Sequence, residues 1–307
     1  MTAPDTEPVA ARTFHTRSGL LIAADHWPAA PGAPGTDDRP PVVLVHGGGQ
    51  TRHSWGGTAA VLAASGWEVV AYDQRGHGDS GRPVDRDYRA QRFAEDLVDV
   101  CVALRDGTGA APVVVGASLG GLAGLLAEGD LAPGTVSALV LVDVTPRLEP
   151  SGVDRILGFM LERMDEGYAS LEEAADAVAA YQPHRPRRSD TTGLAKNLRQ
   201  GADGRWRWHW DPDLFRGPWP VGRGGSQGGY DMAAAALDVP VMLVRGRLSD
   251  LVSPETARHF LEVQPNAEFV DVSDAGHMVA GDRNDAFTDA VAGFLGRLAD
   301  RVDGGTA

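Results

Sequence analysis

The sequence predicts an α/β protein in which a mostly parallel β-sheet is flanked by helices and interrupted by a helical insertion. Two observations favour this fold class. Short apolar runs alternate with segments of helical spacing, and several runs are apolar throughout, as expected of strands buried on both faces of a parallel sheet. The alternation stops over residues 148–237 and then resumes. We therefore expect residues 1–147 and 238–307 to form one core domain, with residues 148–237 inserted as a helical cap.

Each predicted element rests on a local pattern. Strands are expected at residues 41–45, 67–72, 112–116, 136–144, 239–245 and 268–272, with weaker edge strands over 13–26. Helical spacing is present over residues 55–65, 93–104, 153–164, 171–181, 254–263 and 285–298, with a further short helix near 193–199. Ser170 and Glu173 have the spacing of a capping box, which predicts the start of the helix over 171–181.

Composition limits the classes of partner. The net charge of −14 repels nucleic acids and anionic membranes, so neither is expected to bind. No apolar run approaches the roughly 18 residues of a membrane span, and the polar N-terminal stretch lacks an export signal. The one cysteine, Cys101, excludes an internal disulfide and falls at an apolar position of a helix. We expect a cytoplasmic monomer or homodimer that acts on a small molecule.

One sharp turn carries the strongest chemical signal. The apolar run 112–116 leads directly into Gly116-Ala117-Ser118-Leu119-Gly120, and helical spacing follows. A tight strand–turn–helix connection crowds the two chain segments, and glycines on both sides of the serine remove the side chains that would collide there. The Ser118 hydroxyl is therefore expected to project above the sheet edge, at the positive end of a helix.

A serine nucleophile needs a base within hydrogen-bond reach. Other histidines fall in the edge strands, the insertion or a helix, at positions 15, 26, 184, 209 and 259. His277 differs, because it lies in a loop after the last predicted strand. In a parallel sheet, that loop emerges at the same edge as the turn with Ser118, and this is the edge where ligands bind. His277 is therefore the predicted base.

Two aspartates compete for the role of the acid that orients His277. Asp250 follows the strand over 239–245, and Asp143 ends the strand over 136–144, so both reach the edge that carries Ser118. We prefer Asp250, which places Ser118, Asp250 and His277 in the chain order nucleophile, acid, base. Asp143 stays open as the alternative.

Hydrolysis of an acyl group also needs N–H donors for the developing oxyanion. The N–H of Leu119 opens the helix after Ser118 and is one candidate. The segment His46-Gly47-Gly48-Gly49 supplies the other, since its glycines let the backbone approach closely. We favour the N–H of Gly48, with that of Gly49 second, and expect His46 itself to be structural.

These segments together resemble the α/β-hydrolase-fold enzymes that carry a helical cap. The matching pieces are His46-Gly47-Gly48, Asp73-x-Arg75-Gly76-x-Gly78-x-Ser80, Gly116-x-Ser118-x-Gly120, Asp250, and Gly276-His277. One departure concerns the acid. Family members usually place it three residues after a glycine, whereas Gly246 lies four before Asp250. The resemblance implies that Ser118, His277 and Asp250 act as a triad, without a cofactor.

The resemblance also narrows the reaction. Capped relatives that open epoxides or remove halogens use an aspartate at the position of Ser118, so these activities are disfavoured. We expect a serine hydrolase that cleaves a carboxylic ester, lactone or thioester of a small to medium apolar acyl group through an acyl-enzyme. The alternatives are a cofactor-free perhydrolase or lyase, a C–C bond hydrolase, or a non-catalytic ligand receptor. No metal is expected, because the histidines lack ligand spacing.

Substrate-binding residues are predicted from position. Trp55 and Met278 flank the oxyanion loop and the base, and Phe159 lies in the insertion with other large apolar residues. An aromatic stripe of an insertion is more often its own core than a ligand wall. The basic run at 185–188 is expected to be a solvated loop rather than a site for an anionic substrate.

Overall fold

The computed structural model describes residues 8, 10–32, 39–183, 190–221, 227–282 and 284–304. The basic run at 185–188 lies outside these residues. In the described ranges, no helix combines the length with the apolar character that crossing a membrane requires.

An eight-stranded sheet forms the centre of the molecule, with the strand order β1-β2-β4-β3-β5-β6-β9-β10. From β4 to β10 all neighbouring strands are parallel, and β2 pairs antiparallel with both β1 and β4. The predicted α/β fold with a mostly parallel sheet is confirmed. The strands are β1 Ala10–His15, β2 Leu21–Trp27, β3 Val42–Val45, β4 Val69–Tyr72, β5 Val113–Ala117, β6 Ala138–Val142, β9 Val241–Gly246 and β10 Glu268–Val272.

Helices cover both faces of the sheet. In the core they are α1 Gly56–Ala64, α2 Ala90–Thr108, α3 Leu119–Leu126, α9 Pro254–Val263, α10 Val279–Asp282 and α11 Asn284–Gly304. On one face the apolar side of α2 packs on the strands through Phe93, Leu97 and the fully buried Cys101. On the other face α11 contributes Phe287 and Phe294. Strands β3 and β6 are buried along their whole length, because neither face of the sheet is open there.

The segment between β6 and β9 adds no strand to the central sheet among the described residues. It contains the helices α4 Pro150–Leu161, α5 Leu171–Tyr181, α6 Thr192–Ala195, α7 Asp213–Arg216 and α8 Gln227–Ala235. At the start of α5, the Ser170 hydroxyl accepts the N–H of Glu173 at 3.2 Å, as the capping box predicts. The Glu173 carboxylate, however, accepts the N–H of Ala169 rather than that of Ser170.

The inserted segment (residues 148–237) also contains an antiparallel hairpin that the sequence does not predict. Its strands are β7 Leu198–Gln200 and β8 Trp206–Trp208. The expected helix near 193–199 is therefore wrong in its second half, where the chain enters β7. Each strand has only three residues, too few for an alternating pattern to stand out, and the turn depends on Gly204, which has a φ of +77°.

Candidate active site

The turn between β5 and α3 is built as its glycines predict. Ser118 has φ +47° and ψ −115°, a strained conformation for a residue with a side chain. A Cβ placed on Gly120 would lie 2.5 Å from the carbonyl oxygen of Val45, and one on Gly116 would lie 2.5 Å from the backbone of Gly120. Only glycine fits at both positions, so the two chain segments close around Ser118 and hold it at the sheet edge.

The carboxylate that contacts His277 belongs to Asp143. His277 Nδ1 donates a hydrogen bond to Asp143 Oδ2 at 2.7 Å, and the Asp143 side chain is completely buried. Asp250 Oδ2 instead accepts from Arg155 at 2.7 Å, and its side chain is 34% exposed. The preferred pairing of His277 with Asp250 is therefore wrong, and the contact forms with the aspartate that the sequence leaves as the alternative.

Backbone pairing explains why Asp143 reaches this place. Strand β6 lies between β5 and β9, and Asp143 is the residue directly after it. The N–H of Ser118 donates to the carbonyl of Val142 at 3.0 Å, and the N–H of Asp143 donates to the carbonyl of Val244 at 2.7 Å. A φ of +49° at Asp143 turns its side chain away from the strand direction. Ser118 and the carboxylate that binds His277 thus leave neighbouring strand ends.

Three donors surround the buried carboxylate. Besides His277, the N–H of Gly246 binds Asp143 Oδ1 at 2.9 Å, and the Ser249 hydroxyl binds Asp143 Oδ2 at 2.6 Å. A buried ionised group is tolerated only when such donors replace its water shell. Among the described residues, the hydroxyl of Ser118 makes no hydrogen bond to His277.

The predicted oxyanion loop, residues 46–49, has one amide without an acceptor among the described residues. The N–H of Gly47 binds Oε1 of Gln50 at 2.9 Å, and the N–H of Gly49 binds Nε2 of His77 at 3.0 Å. Within the described part of the chain, the amides of Gly48 and Leu119 have no acceptor. Gly49, the second choice from the sequence, already has a partner, whereas Gly48 and Leu119 have donors to offer.

Three buried histidines, His46, His77 and His209, form a cluster of inclined rings beside this loop. The rings of His46 and His77 lie 5.0 Å apart, and those of His77 and His209 lie 5.8 Å apart. Each accepts a backbone N–H through one ring nitrogen, from Gln74, Gly49 and Gly78 respectively. Burial lowers the pKa of His46 to about 4 and that of His77 to about 3, and it lowers the pKa of His209 further. All three rings are neutral near pH 7, as their acceptor roles require, and His46 is structural as expected.

The inserted segment covers the oxyanion loop. A Cβ placed on Gly49 would lie 2.4 Å from Met160 Cε and 3.0 Å from the ring of Trp210. Both side chains are buried and come from the insertion. Phe159, predicted to contact substrate, stacks on Tyr181 with a ring separation of 4.2 Å and is partly buried against the core cluster that includes Met160 and Trp210.

The two substrate-binding candidates near the loop have different surroundings. Trp55 is 1% exposed and packs against Phe287 with ring centres 5.8 Å apart, so it belongs to the sheet core and does not line a pocket. Met278 is half-buried, and its sulfur accepts a hydrogen bond from Gln50 Nε2 at 3.1 Å. The side chain of Gln50 thereby bridges the oxyanion loop and the loop of His277.

Sequence reasoning missed three residues whose side chains bind the oxyanion loop or Asp143, namely Gln50, His77 and Ser249. Each acts through a side chain that meets another loop, and only the position of His77 inside the Asp73–Ser80 turn gave a signal. Among the described residues, no group of three or more histidine, cysteine, aspartate or glutamate side chains is arranged to hold a metal ion.

Comparison with known proteins finds relatives described as hydrolases or esterases. A family model described as alpha/beta hydrolase fold matches residues 40–283. The chain is 32% identical over 271 residues to Esterase Rv0045c of Mycobacterium tuberculosis, covering 83% of each protein. It is 30% identical over 248 residues to a 3-hydroxybutyrate-oligomer hydrolase of Cupriavidus necator, covering 77% of this chain and 82% of that one. An alpha/beta hydrolase from Novosphingobium aromaticivorans superposes with a TM-score of 0.74 at 25% identity, covering 95% and 98%.

Proposed function

The chain belongs to the α/β-hydrolase-fold family, and from this premise we propose that it is a serine esterase whose catalytic triad is Ser118, His277 and Asp143. The observation that carries the proposal is the hydrogen bond from His277 Nδ1 to the buried Asp143 carboxylate, at the strand end next to Ser118. The esterase relatives support ester hydrolysis as the reaction. A base that is oriented by a buried acid can activate a nucleophile, whereas a simple binding pocket does not need such a base.

The mechanism follows from the proton positions. Because Nδ1 of His277 donates to Asp143, its Nε2 carries a lone pair that can accept the proton of Ser118. The serine oxygen attacks the acyl carbon, and the carbonyl oxygen becomes an oxyanion. The amides of Gly48 and Leu119 donate to that oxygen. His277 then returns the proton to the leaving alcohol, and water activated by His277 cleaves the acyl-enzyme.

The inserted segment acts as a cap in this proposal. Met160 and Trp210 place apolar surface directly against the oxyanion loop, so the acyl side of the site is apolar. We assign residues 148–237 to the cap and small to medium apolar acyl groups, as esters, lactones or thioesters, to the substrate class. Met278, beside the base, remains a candidate contact for the substrate.

Chromogenic esters test the proposal. Wild type is expected to hydrolyse p-nitrophenyl acetate and butyrate, with Ser118→Ala at least about 10³-fold slower, because the nucleophile is gone. A fluorophosphonate probe should add one adduct to wild type, located at Ser118 by peptide mass spectrometry. Wild type no faster than Ser118→Ala, together with no adduct on Ser118, would overturn the proposal. Hydrolysis rates across acyl lengths, lactones and acyl-thioesters would then define the substrate.

A further inference from the structure

Ser249 has a fully determined hydrogen-bond arrangement although it lies outside the proposed triad. Its hydroxyl sits in the loop after β9 and is 2.6 Å from Asp143 Oδ2, the same oxygen that accepts from His277. Two backbone amides, those of Leu251 and Val252, each lie 3.1 Å from Ser249 Oγ. The loop after β9 thus presents a side chain to the same carboxylate oxygen as the imidazole.

The direction of the hydroxyl hydrogen follows from these contacts. A serine oxygen has one hydrogen and two lone pairs. The amides of Leu251 and Val252 can only donate, so they take both lone pairs. The hydrogen of Ser249 must then point to Asp143, which can only accept when ionised. Ser249 cannot rotate away without leaving two backbone donors unsatisfied, so its donor is held in place by the fold.

The nearby charges have their own partners. Arg245 is buried and donates to the carbonyl of Val252 and to Asp271, while Asp250 binds Arg155. Within the described residues, the carboxylate of Asp143 therefore has Ser249, Gly246 and His277 as its donors.

We propose that Ser249 is a positioning residue of the active site, which holds the Asp143 carboxylate in the orientation that orients His277. This inference rests on the proposed function. The Ser249 hydroxyl shares Oδ2 with His277 and so withdraws some of the negative charge that the imidazole meets. Without it, the carboxylate loses one of three anchors and its Oδ2 becomes a stronger acceptor for the imidazolium.

The experiment compares Ser249→Ala with two matched variants. Ser249→Ala is expected to lower kcat by about 10- to 100-fold, the range of a hydrogen bond to a charged group, with KM changed less than about twofold because no substrate contact is lost. The acidic limb of its kcat/KM–pH profile should move to higher pH. Ser249→Thr, which keeps the hydroxyl, should recover most of the rate and the profile of wild type.

Ser253→Ala is the control within the same loop. The Ser253 hydroxyl caps α9 by accepting the N–H of Thr256 and does not contact Asp143. Its loss should lower the melting temperature and leave the pH profile unchanged. A Ser249→Ala enzyme with wild-type kcat and wild-type pH profile would overturn the inference, as would a pH profile that moves equally in Ser253→Ala.

A second readout does not depend on turnover. The proton between His277 Nδ1 and Asp143 should give a strongly deshielded proton NMR signal that is absent in His277→Ala. We expect the signal to shift in Ser249→Ala and to stay near its wild-type position in Ser249→Thr. An unshifted signal in Ser249→Ala contradicts the positioning role alone, whereas an inactive wild type with this signal intact contradicts the proposed function alone.

Discussion

The ends of β6 and β9 are neighbours in the sheet, and each is followed by an aspartate. Asp143 comes directly after β6, is completely buried and binds His277. Asp250 lies four residues beyond β9, is one-third exposed and binds Arg155 of α4. The same residue type at the same sheet edge therefore has two different environments. Both aspartates lie between Ser118 and His277 in the chain, so chain order does not separate them, and the backbone packing at the sheet edge selects the carboxylate that meets His277.

The loop of His277 packs closely against the end of β9. A Cβ placed on Gly246 would lie 2.2 Å from the carbonyl oxygen of Gly276 and 2.7 Å from that of Ala275. The loop of His277 thus rests on the backbone of β9, and the N–H of Gly246 is turned to Asp143. The end of β9 contributes backbone and the Ser249 hydroxyl to the site, while its own carboxylate faces the insertion.

The largest effect is expected from Asp143→Asn, which tests the comparison directly. If the amide oxygen keeps the N–H of Gly246, the amide nitrogen meets two donors, Ser249 and His277. His277 must then accept at Nδ1 and carry its proton on Nε2, so that it cannot take the proton of Ser118. We expect kcat for p-nitrophenyl butyrate to fall by about 10³- to 10⁴-fold.

Asp250→Asn is the matched variant for this measurement and should retain kcat within about threefold. If Asp250→Asn were the more damaging of the two, the assignment of the acid would return to Asp250. Circular dichroism spectra of both variants would establish that the fold is intact.

Gly246→Ala should have an intermediate effect, on stability and activity together. Its methyl group would collide with backbone atoms of Gly276 and Ala275, which cannot move aside as a flexible side chain can. We expect a loss of about 1–3 kcal/mol in the free energy of unfolding, measured by urea denaturation, and lower kcat because the loop of His277 is displaced.

Gly158→Ala in α4 is the control for that substitution, because nothing lies within 4 Å of its added Cβ. It should leave kcat unchanged and stabilise the helix by up to about 1 kcal/mol. Equal stability of Gly246→Ala and wild type would show that the end of β9 and the loop of His277 are not in contact as described.

The smallest effect is expected from Arg155→Ala. The ion pair of Arg155 with Asp250 lies at the surface, where such pairs contribute about 0–1 kcal/mol. Thermal unfolding should change by a few degrees at most, and the acidic limb of the pH profile should not move. A loss of activity comparable with that of Asp143→Asn would mean that the ion pair of Arg155 and Asp250 does affect His277.

The sequence predicted the elements that depend on local pattern. The turn with Ser118, the helix α9 and the strand β10 follow from spacing and glycine placement, and the structure has them at the expected residues. The partner of His277 could not be predicted in this way, because it depends on how closely Gly246 and Gly276 approach across the sheet edge. The prediction of Trp55 as a substrate contact was wrong for a related reason. Its position near the oxyanion loop in the chain does not show that its ring turns into the core and packs against Phe287.

The cluster of His46, His77 and His209 couples the fold to proton uptake. Each has a pKa in the folded state below the value of about 6.5 in an unfolded chain. The unfolded state therefore binds more protons below pH 6.5, so the stability present at neutral pH declines on acidification, by up to about 1.4 kcal/mol per pH unit for each ring. Urea midpoints between pH 7 and 5 should fall accordingly, and less steeply in His77→Gln. Acid would thus weaken two contacts together, that of His77 with the oxyanion loop and that of His209, in the insertion, with Gly78 of the core.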